Sequence, residues 1–159
     1  MHRGLARIPQ GLDPAEDVET VQPLGPFGKA AAERLSERIN RAEAFGQSPL
    51  YFAVIQSLNQ FKAVSADRRR GIIVICEDEN NTYHPPEPNS QSVPIERESV
   101  IESWERARVP IHFLQIGLGG EAENPELKEL SEMSGGGYQF VKSGAELAKQ
   151  LEAILMGGP

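Results

Sequence analysis

The most constraining feature of this sequence is an apolar run that ends abruptly in acidic and amide residues. Residues 71–81 read GIIVICEDENN, so that Ile72–Cys76 is followed at once by Glu77, Asp78 and Glu79. A β-branched run without polar alternation is typical of a strand covered on both faces, as in a parallel α/β sheet. Ligands of such sheets lie beyond the carboxyl ends of the strands. The run therefore predicts a central strand with a functional site at its end.

The size and charge of the chain narrow the classes of protein it can belong to. Its 159 residues fit one domain with a real core better than two. The net charge of −7 argues against nucleic acid or an anionic membrane as the main partner. The short basic run Arg68–Arg70 is interpreted as a solvated segment before a strand. Because Cys76 is the single cysteine, no internal disulfide can form.

Segments that would direct the chain to or through a membrane are not evident in the sequence. No apolar stretch reaches the roughly 18–20 residues of a membrane span, and the first 25 residues lack the apolar core of a signal peptide. We therefore expect a soluble chain that is cytoplasmic by default. The compartment stays open if Met1 is not the true start and the chain is a piece of a longer protein.

Apolar periodicity and turn residues predict alternating helices and strands. Such alternation is typical of a mostly parallel, doubly wound sheet with helices on both faces, a three-layer α/β fold. After an irregular segment at 1–26, the α/β domain spans 27–156, and 157–159 form a tail. The predicted helices cover about 27–44, 50–64, 94–108, 125–133 and 144–156, and the strands cover 72–76, 109–118 and 138–141.

Several local predictions follow from turn and capping chemistry. Ser48 is placed at the N-cap of the second helix with Pro49 as its first residue, and Ser143 is placed at the N-cap of the last. Alternation over Val18–Val21 predicts a short edge strand. Residues 80–93 are rich in Pro, Asn and Ser and predict a long loop.

Four stretches of the chain, in order and correctly spaced, resemble the von Willebrand factor type A domain. They read GQSPLYFAVIQSL, RRRGIIVICEDENN, VPIHFLQIGLGG and ELKELSEMSGGGYQFVKSGAELAKQLEAI, and the match covers about residues 28–156. The resemblance implies a Rossmann-like doubly wound fold. It also implies a metal-ion-dependent adhesion site at the carboxyl edge of the sheet, where three loops supply oxygen ligands and a partner carboxylate completes the shell of a cation such as Mg²⁺.

The ligand set implied by this resemblance is incomplete. Ser48 stands at the position of the family's threonine ligand and Glu77 at that of its aspartate. Asp78 replaces the following glycine and would serve instead if the strand end shifted by one residue. The family's Asp-x-Ser-x-Ser loop occurs nowhere in the chain, so the cofactor expected is none, or weakly bound Mg²⁺ or Mn²⁺.

The missing loop belongs to a strand that the family places in the middle of its sheet. The chain resembles the family only from a point beyond its first two strands, so the fold is expected to be incomplete at its N-terminal strands. Either the protein starts further upstream, or a second chain or a rearranged N-terminal segment fills the gap. An exposed sheet edge of this kind also favours a homodimer.

Simpler interpretations of the same residues stay open at this point. Ser48 is equally explained as a helix cap, and the acids Glu77–Glu79 as a solvated loop. His112 lies within a strand pattern and is expected to be a core or half-buried histidine. His84 has no second histidine or cysteine at metal spacing, so a zinc site there is not expected.

Two hypotheses for function come from different classes. The leading one is a non-enzymatic protein-binding module of the von Willebrand type A kind with a degenerate adhesion site at Ser48, Glu77 and Asp78. The alternative is a metal-assisted enzyme, or a subunit of an ATP-driven complex, on the same fold.

Overall fold

The structure, a computed structural model, describes residues 18–42, 48–65, 67–77, 95–117 and 122–157. Helices and strands follow one another there in the order expected from the sequence, with ends a few residues from the predicted ones. The elements are α1 (Lys29–Asn40), α2 (Leu50–Gln60) with a 3-10 turn (Phe61–Ala63), β1 (Ile72–Cys76), α3 (Arg97–Ala107), β2 (Ile111–Ile116), α4 (Pro125–Ser134), β3 (Tyr138–Val141) and α5 (Gly144–Met156).

The three strands form one parallel sheet in the order β1-β2-β3. Ile72 of β1 pairs with Ile111 of β2, and Phe113 of β2 pairs with Tyr138 of β3. Strand β1 was expected to be central, and within the described residues that prediction is wrong. It lies at the edge, and β2 holds the middle because it is the strand that pairs on both sides.

One side of the sheet, which we call the first face, carries the main core. Side chains alternate along a strand, so Ile72, Ile111 and Phe113 point to the same side. Helices α2, α3 and α4 cover them with the fully buried residues Leu58, Val100 and Leu127. The following side chains form this core: Leu50, Tyr51, Val54, Leu58, Ile72, Val100, Val109, Ile111, Phe113, Leu127 and Leu130. Apolar residues on much of the circumference of α2, such as Leu50, Val54 and Leu58, predict a buried helix against the sheet, and this prediction is confirmed.

The opposite side, the second face, is covered less completely. It presents Ile73 and Ile75 of β1 with His112 and Leu114 of β2, and α5 packs over its β2 and β3 part. Leu114 is fully buried, whereas Ile75 is 48% exposed. No residue of α5 itself is fully buried. Within the described residues, the β1 end of this face therefore has no helix over it.

The turn from α4 into β3 brings two backbones into close contact. Gly135 ends α4 in the left-handed conformation, with φ of 77°, as its position after the last apolar residue predicts. A Cβ on Gly136 would overlap the carbonyl oxygen of Ile111. The Ser134 hydroxyl accepts the Ile111 N–H at 2.9 Å. Glycine at position 136 is what allows β2 and this turn to touch.

Two predictions for the N-terminal part of the described chain need correction. Val18–Val21 forms no strand: the segment is attached to α1 through side chains, including an Arg38–Glu19 ion pair of 2.5 Å, rather than by backbone pairing. The spacing of Ala31, Leu35 and Ile39 predicts an apolar stripe on α1, and this stripe is also largely uncovered. Ala31 is buried, but Ile39 is 63% exposed, because periodicity shows which face of a helix is apolar and not whether another element covers it.

The chain is thus a mixed α/β fold with a small parallel sheet, compatible with a Rossmann-like arrangement. Among the described residues, no helix combines the length and apolar character needed to cross a membrane.

Candidate functional site

Two of the residues that the sequence singled out, Ser48 and Glu77, are described near the carboxyl edge of the sheet. The strands are parallel, so the ends of β1 and β2 at Cys76 and Ile116 lie at one edge. Tyr51, on the first turn of α2, donates a hydrogen bond from its hydroxyl to the Glu126 carboxylate on the first turn of α4. Because α4 begins just beyond the end of β2, the N-terminus of α2 lies at the same edge. Ser48 and Glu77 therefore share this edge.

Ser48 does not act as the helix cap that was predicted. The N-cap of α2 is Pro49, with φ of −78° and ψ of 59°, and no side chain caps the helix. Pro49 was expected as the first helical residue and is instead the N-cap, while the helix starts at Leu50 as the predicted range has it. Within the described residues the Ser48 hydroxyl makes no hydrogen bond, and the residue is exposed.

Glu77 follows the last residue of β1 directly and is exposed. The ion pairs and hydrogen bonds of the described ranges do not include its carboxylate. Asp78 and the 80–93 loop lie outside the described residues, and so does His84. The structure brings Ser48 and Glu77 to the same edge, and both residues are exposed.

Ser48 and Glu77 supply oxygen atoms of the type that divalent cations accept. A serine hydroxyl and a glutamate carboxylate are hard oxygen ligands of the kind Mg²⁺ accepts, and Mg²⁺ keeps several waters when the protein supplies few ligands. The described residues contain no cluster of three or more His, Cys, Asp or Glu side chains placed to hold a metal. The fit is therefore limited to a cation held by few protein oxygens.

A buried amide organises the neighbouring part of the same edge. Gln115, fully buried near the end of β2, donates from Nε2 to the Ala122 carbonyl at 3.0 Å. Its Oε1 accepts the Asn124 N–H at 2.9 Å and the Tyr138 hydroxyl. The Asn124 side chain in turn caps α4 by accepting the Glu126 N–H at 2.9 Å. One side chain thus links β2, β3 and the start of α4.

The bond between Tyr51 and Glu126 fastens α2 to α4 at this edge. Burial raises the pKa of the Tyr51 phenol well above its ordinary value, and the hydrogen bond to the Glu126 carboxylate raises it further. The phenol is therefore neutral over the physiological range and acts as a donor. Its role here is to hold two helix N-termini together, which fixes the position of the segment that carries Ser48.

The sequence interpretation missed Gln115, Asn124 and Tyr138 as a group. The signal was present in the run VPIHFLQIGL, where a glutamine interrupts an otherwise apolar strand. A buried amide needs hydrogen-bond partners, so Gln115 pointed to polar neighbours at the end of β2. Which residues those would be depends on the strand order, which the sequence does not give.

His112 is half-buried, as predicted, and lies far from this edge, near the amino end of β2. Its Nδ1 accepts the N–H of Gly137 at 3.1 Å. Burial lowers the pKa of His112, and the nearby charge of Arg69 lowers it further. The imidazole is therefore neutral, with its remaining proton on Nε2.

Comparison with known proteins gives no matching family model and no significant match to a curated protein sequence.

Proposed function

We propose that this chain is a non-enzymatic protein-binding module of the von Willebrand factor type A kind, and that the carboxyl edge of its sheet contacts the partner. The observation that carries the proposal is the contrast between polar groups at that edge. Gln115 and Tyr51 are used in internal hydrogen bonds. Ser48 and Glu77 are exposed, and their side-chain oxygens have no partner among the described residues.

The strand order supports the family resemblance. Strand β1 pairs with β2 on one side, and the described residues contain no strand on its other side. The resemblance places the strand of the Asp-x-Ser-x-Ser loop at that position, and the sequence has no such loop. A domain of this family that lacks that strand would keep two of the three ligand loops, the one with the hydroxyl residue and one acidic loop. Ser48 and Glu77 stand at these two positions.

The metal part of the proposal is limited to weak binding. Ser48, Glu77 and Asp78 would hold Mg²⁺ or Mn²⁺, which would offer a positive charge to a carboxylate of the partner protein. The protein's own contribution is to hold Ser48 in place through the Tyr51–Glu126 bond and to keep Glu77 directly at the strand end.

A capture experiment with matched charge variants tests this function. The immobilised chain is incubated with a lysate of its natural source with either Mn²⁺ or EDTA, and retained proteins are identified by mass spectrometry. Glu77→Ala combined with Asp78→Ala is expected to lose the retained partner, because the acidic ligands are gone. Glu152→Ala, which removes an exposed acid on α5, is expected to retain it.

Partner retention in Mn²⁺ is then compared with retention in EDTA, which distinguishes metal-dependent binding from direct contact through the carboxylates. We expect about ten-fold less partner in EDTA. Equal retention by the acidic-edge variant and the Glu152→Ala control would contradict the proposed surface. Equal retention in Mn²⁺ and EDTA, with loss in the acidic-edge variant, would reject the metal and leave direct contact through the carboxylates.

A further inference from the structure

A cavity lies on the second face of the sheet, at the end of β1 opposite to Glu77. Its volume is about 240 Å³, and its lining includes Arg69 and Arg70, Ile73 and His112 from the strands, and the last turn of α5 at Ile154 and Leu155. Ile73 and His112 are register partners on β1 and β2, so their side chains stand next to each other on one face. The residues of this cavity precede β1 or lie at the amino end of the sheet, whereas Glu77 follows β1.

The charge of this cavity is positive and is not balanced by the residues that line it. No aspartate or glutamate is among the described lining residues. The nearest acid in sequence, Asp67, accepts a hydrogen bond from Ser65 and does not line the cavity. Arg70 is half-buried and takes part in none of the ion pairs or hydrogen bonds found in the described part of the chain. A half-buried guanidinium without a partner favours an anion from outside.

Arg69 is held in position by the end of α5. Its guanidinium donates to the carbonyl of Ile154 at 2.8 Å and to that of Leu155 at 3.4 Å. These bonds offset the negative end of the helix, so the α5 terminus does not repel an anion in the cavity. They also use only part of the guanidinium, which has five N–H donors. Arg69 is thus a cation held in position, and some of its guanidinium N–H groups remain for a ligand.

His112 adds a neutral donor beside the two arginines. Its Nδ1 is engaged by the Gly137 N–H, which leaves Nε2–H as the free end of the ring. Burial and then the charge of Arg69 lower the pKa of His112, and both residues line the same cavity. An anion in the cavity would meet two guanidinium groups and one imidazole N–H.

The remaining wall of the cavity is apolar. Ile73, Ile154 and Leu155 supply it, and Leu155 is 67% exposed. A volume of 240 Å³ corresponds to about eight water molecules at roughly 30 Å³ each. A ligand of about that many non-hydrogen atoms would fill it, with a charged head at the arginines and a short hydrocarbon chain along the aliphatic side chains.

We propose that this cavity binds a small aliphatic carboxylate, with its carboxylate held by Arg70, Arg69 and the Nε2–H of His112 and its chain against Ile73 and Leu155. The site is separate from the proposed protein-binding edge. It needs neither Glu77 nor a metal, so either proposal can fail without the other.

Amide NMR shifts in the intact chain test the site, with hexanoate as the probe and constant ionic strength. Hexanoate is expected to shift the amide signals of Gly71, Ile73 and Leu155 saturably below about 50 mM. Acetate, which lacks the chain, and hexylammonium, which reverses the charge, are each expected to bind at least about ten-fold more weakly.

The matched variants are Arg70→Gln and Arg68→Gln, which remove the same charge two positions apart. Arg68 is exposed and does not line the cavity. We expect Arg70→Gln to weaken hexanoate binding about five-fold or more and Arg68→Gln to leave it within about two-fold. Equal weakening by both variants would show general charge attraction and overturn the site. So would equal binding of hexanoate and acetate, or the absence of saturable shifts while both variants remain folded.

Discussion

The two faces of the sheet differ in how completely helices cover them. On the first face, α2, α3 and α4 bury side chains such as Leu58 and Leu127 to 1% exposure. On the second face, α5 covers β2 and β3, and Ile75 of β1 remains 48% exposed. The strands supply apolar side chains to both faces, so the difference comes from the helices. The buried apolar area, and with it the hydrophobic stabilisation of the fold, is concentrated on the first face.

This difference separates the part of the molecule that holds the fold from the parts offered to ligands. The proposed carboxylate cavity lies on the second face, where β1 and the end of α5 leave space. Ser48 and Glu77 lie at the carboxyl edge, outside the core. Substitutions in the first-face structure should therefore change stability, whereas those at the open positions should change binding.

The largest effect is expected at the contact between β2 and the turn after α4. Gly136→Ala would drive a Cβ into the Ile111 carbonyl oxygen, and backbone cannot move there without disturbing β2. We expect a loss of about 3 kcal/mol or more in the free energy of unfolding, measured by urea titration. The control is Gly144→Ala at the start of α5, where nothing lies within 4 Å of the added Cβ. Its effect should stay within about 1 kcal/mol, and similar losses in both variants would contradict the comparison.

An intermediate effect is expected at Tyr51, which ties α2 to α4. Tyr51→Phe removes the hydrogen bond to Glu126 and should cost about 1 kcal/mol at pH 7. The pKa of Tyr51 is raised on folding, so its contribution is complete below the ordinary tyrosine pKa and is lost as the pH rises above it.

Urea unfolding from pH 8 to pH 11 should therefore show a steeper loss of stability above about pH 10 in the wild type than in Tyr51→Phe. If the free energy of unfolding depended on pH in the same way in both proteins, folding would not raise the pKa of the Tyr51 hydroxyl. The hydrogen bond to Glu126 would then not be what holds α2 against α4.

The smallest effect is expected on the open part of the second face. Ile75→Thr keeps the β-branched shape and should cost no more than about 0.5 kcal/mol, because the side chain is 48% exposed. The same change at Ile111, which is fully buried on the first face, should cost about 2 kcal/mol or more. Urea titrations of both variants give the comparison. Equal costs would show that β1 is covered on the second face as well.

The element order could be predicted because its signals are local. Residue type and spacing place Asn124 and Ser143 at helix starts, and both side chains accept backbone N–H groups there. The apolar runs of β1, β2 and β3 likewise mark the strands. Ser48 has the same type of signal and is no cap, since the chain at Pro49 turns into the helix without using the hydroxyl.

Features that depend on neighbours in space were not predictable in this way. The run Ile72–Cys76 predicts a central strand because it is apolar throughout, yet an edge strand with one covered face can have the same composition. The stripe that contains Ile39 is equally clear in sequence and is exposed in the structure. Of the candidate site, the sequence supplied Ser48 and Glu77, but the Tyr51–Glu126 bond that brings α2 to their edge joins residues 75 positions apart.

The hydrogen bonds of Gln115 have a consequence for how the chain can vary. This side chain forms hydrogen bonds with the Ala122 carbonyl and the Asn124 N–H. A residue of β2 therefore fixes where α4 starts. Loss of the one amide at position 115 would release the Ala122 carbonyl and the Asn124 N–H together. A substitution within β2 would thereby also change where α4 starts on the sheet.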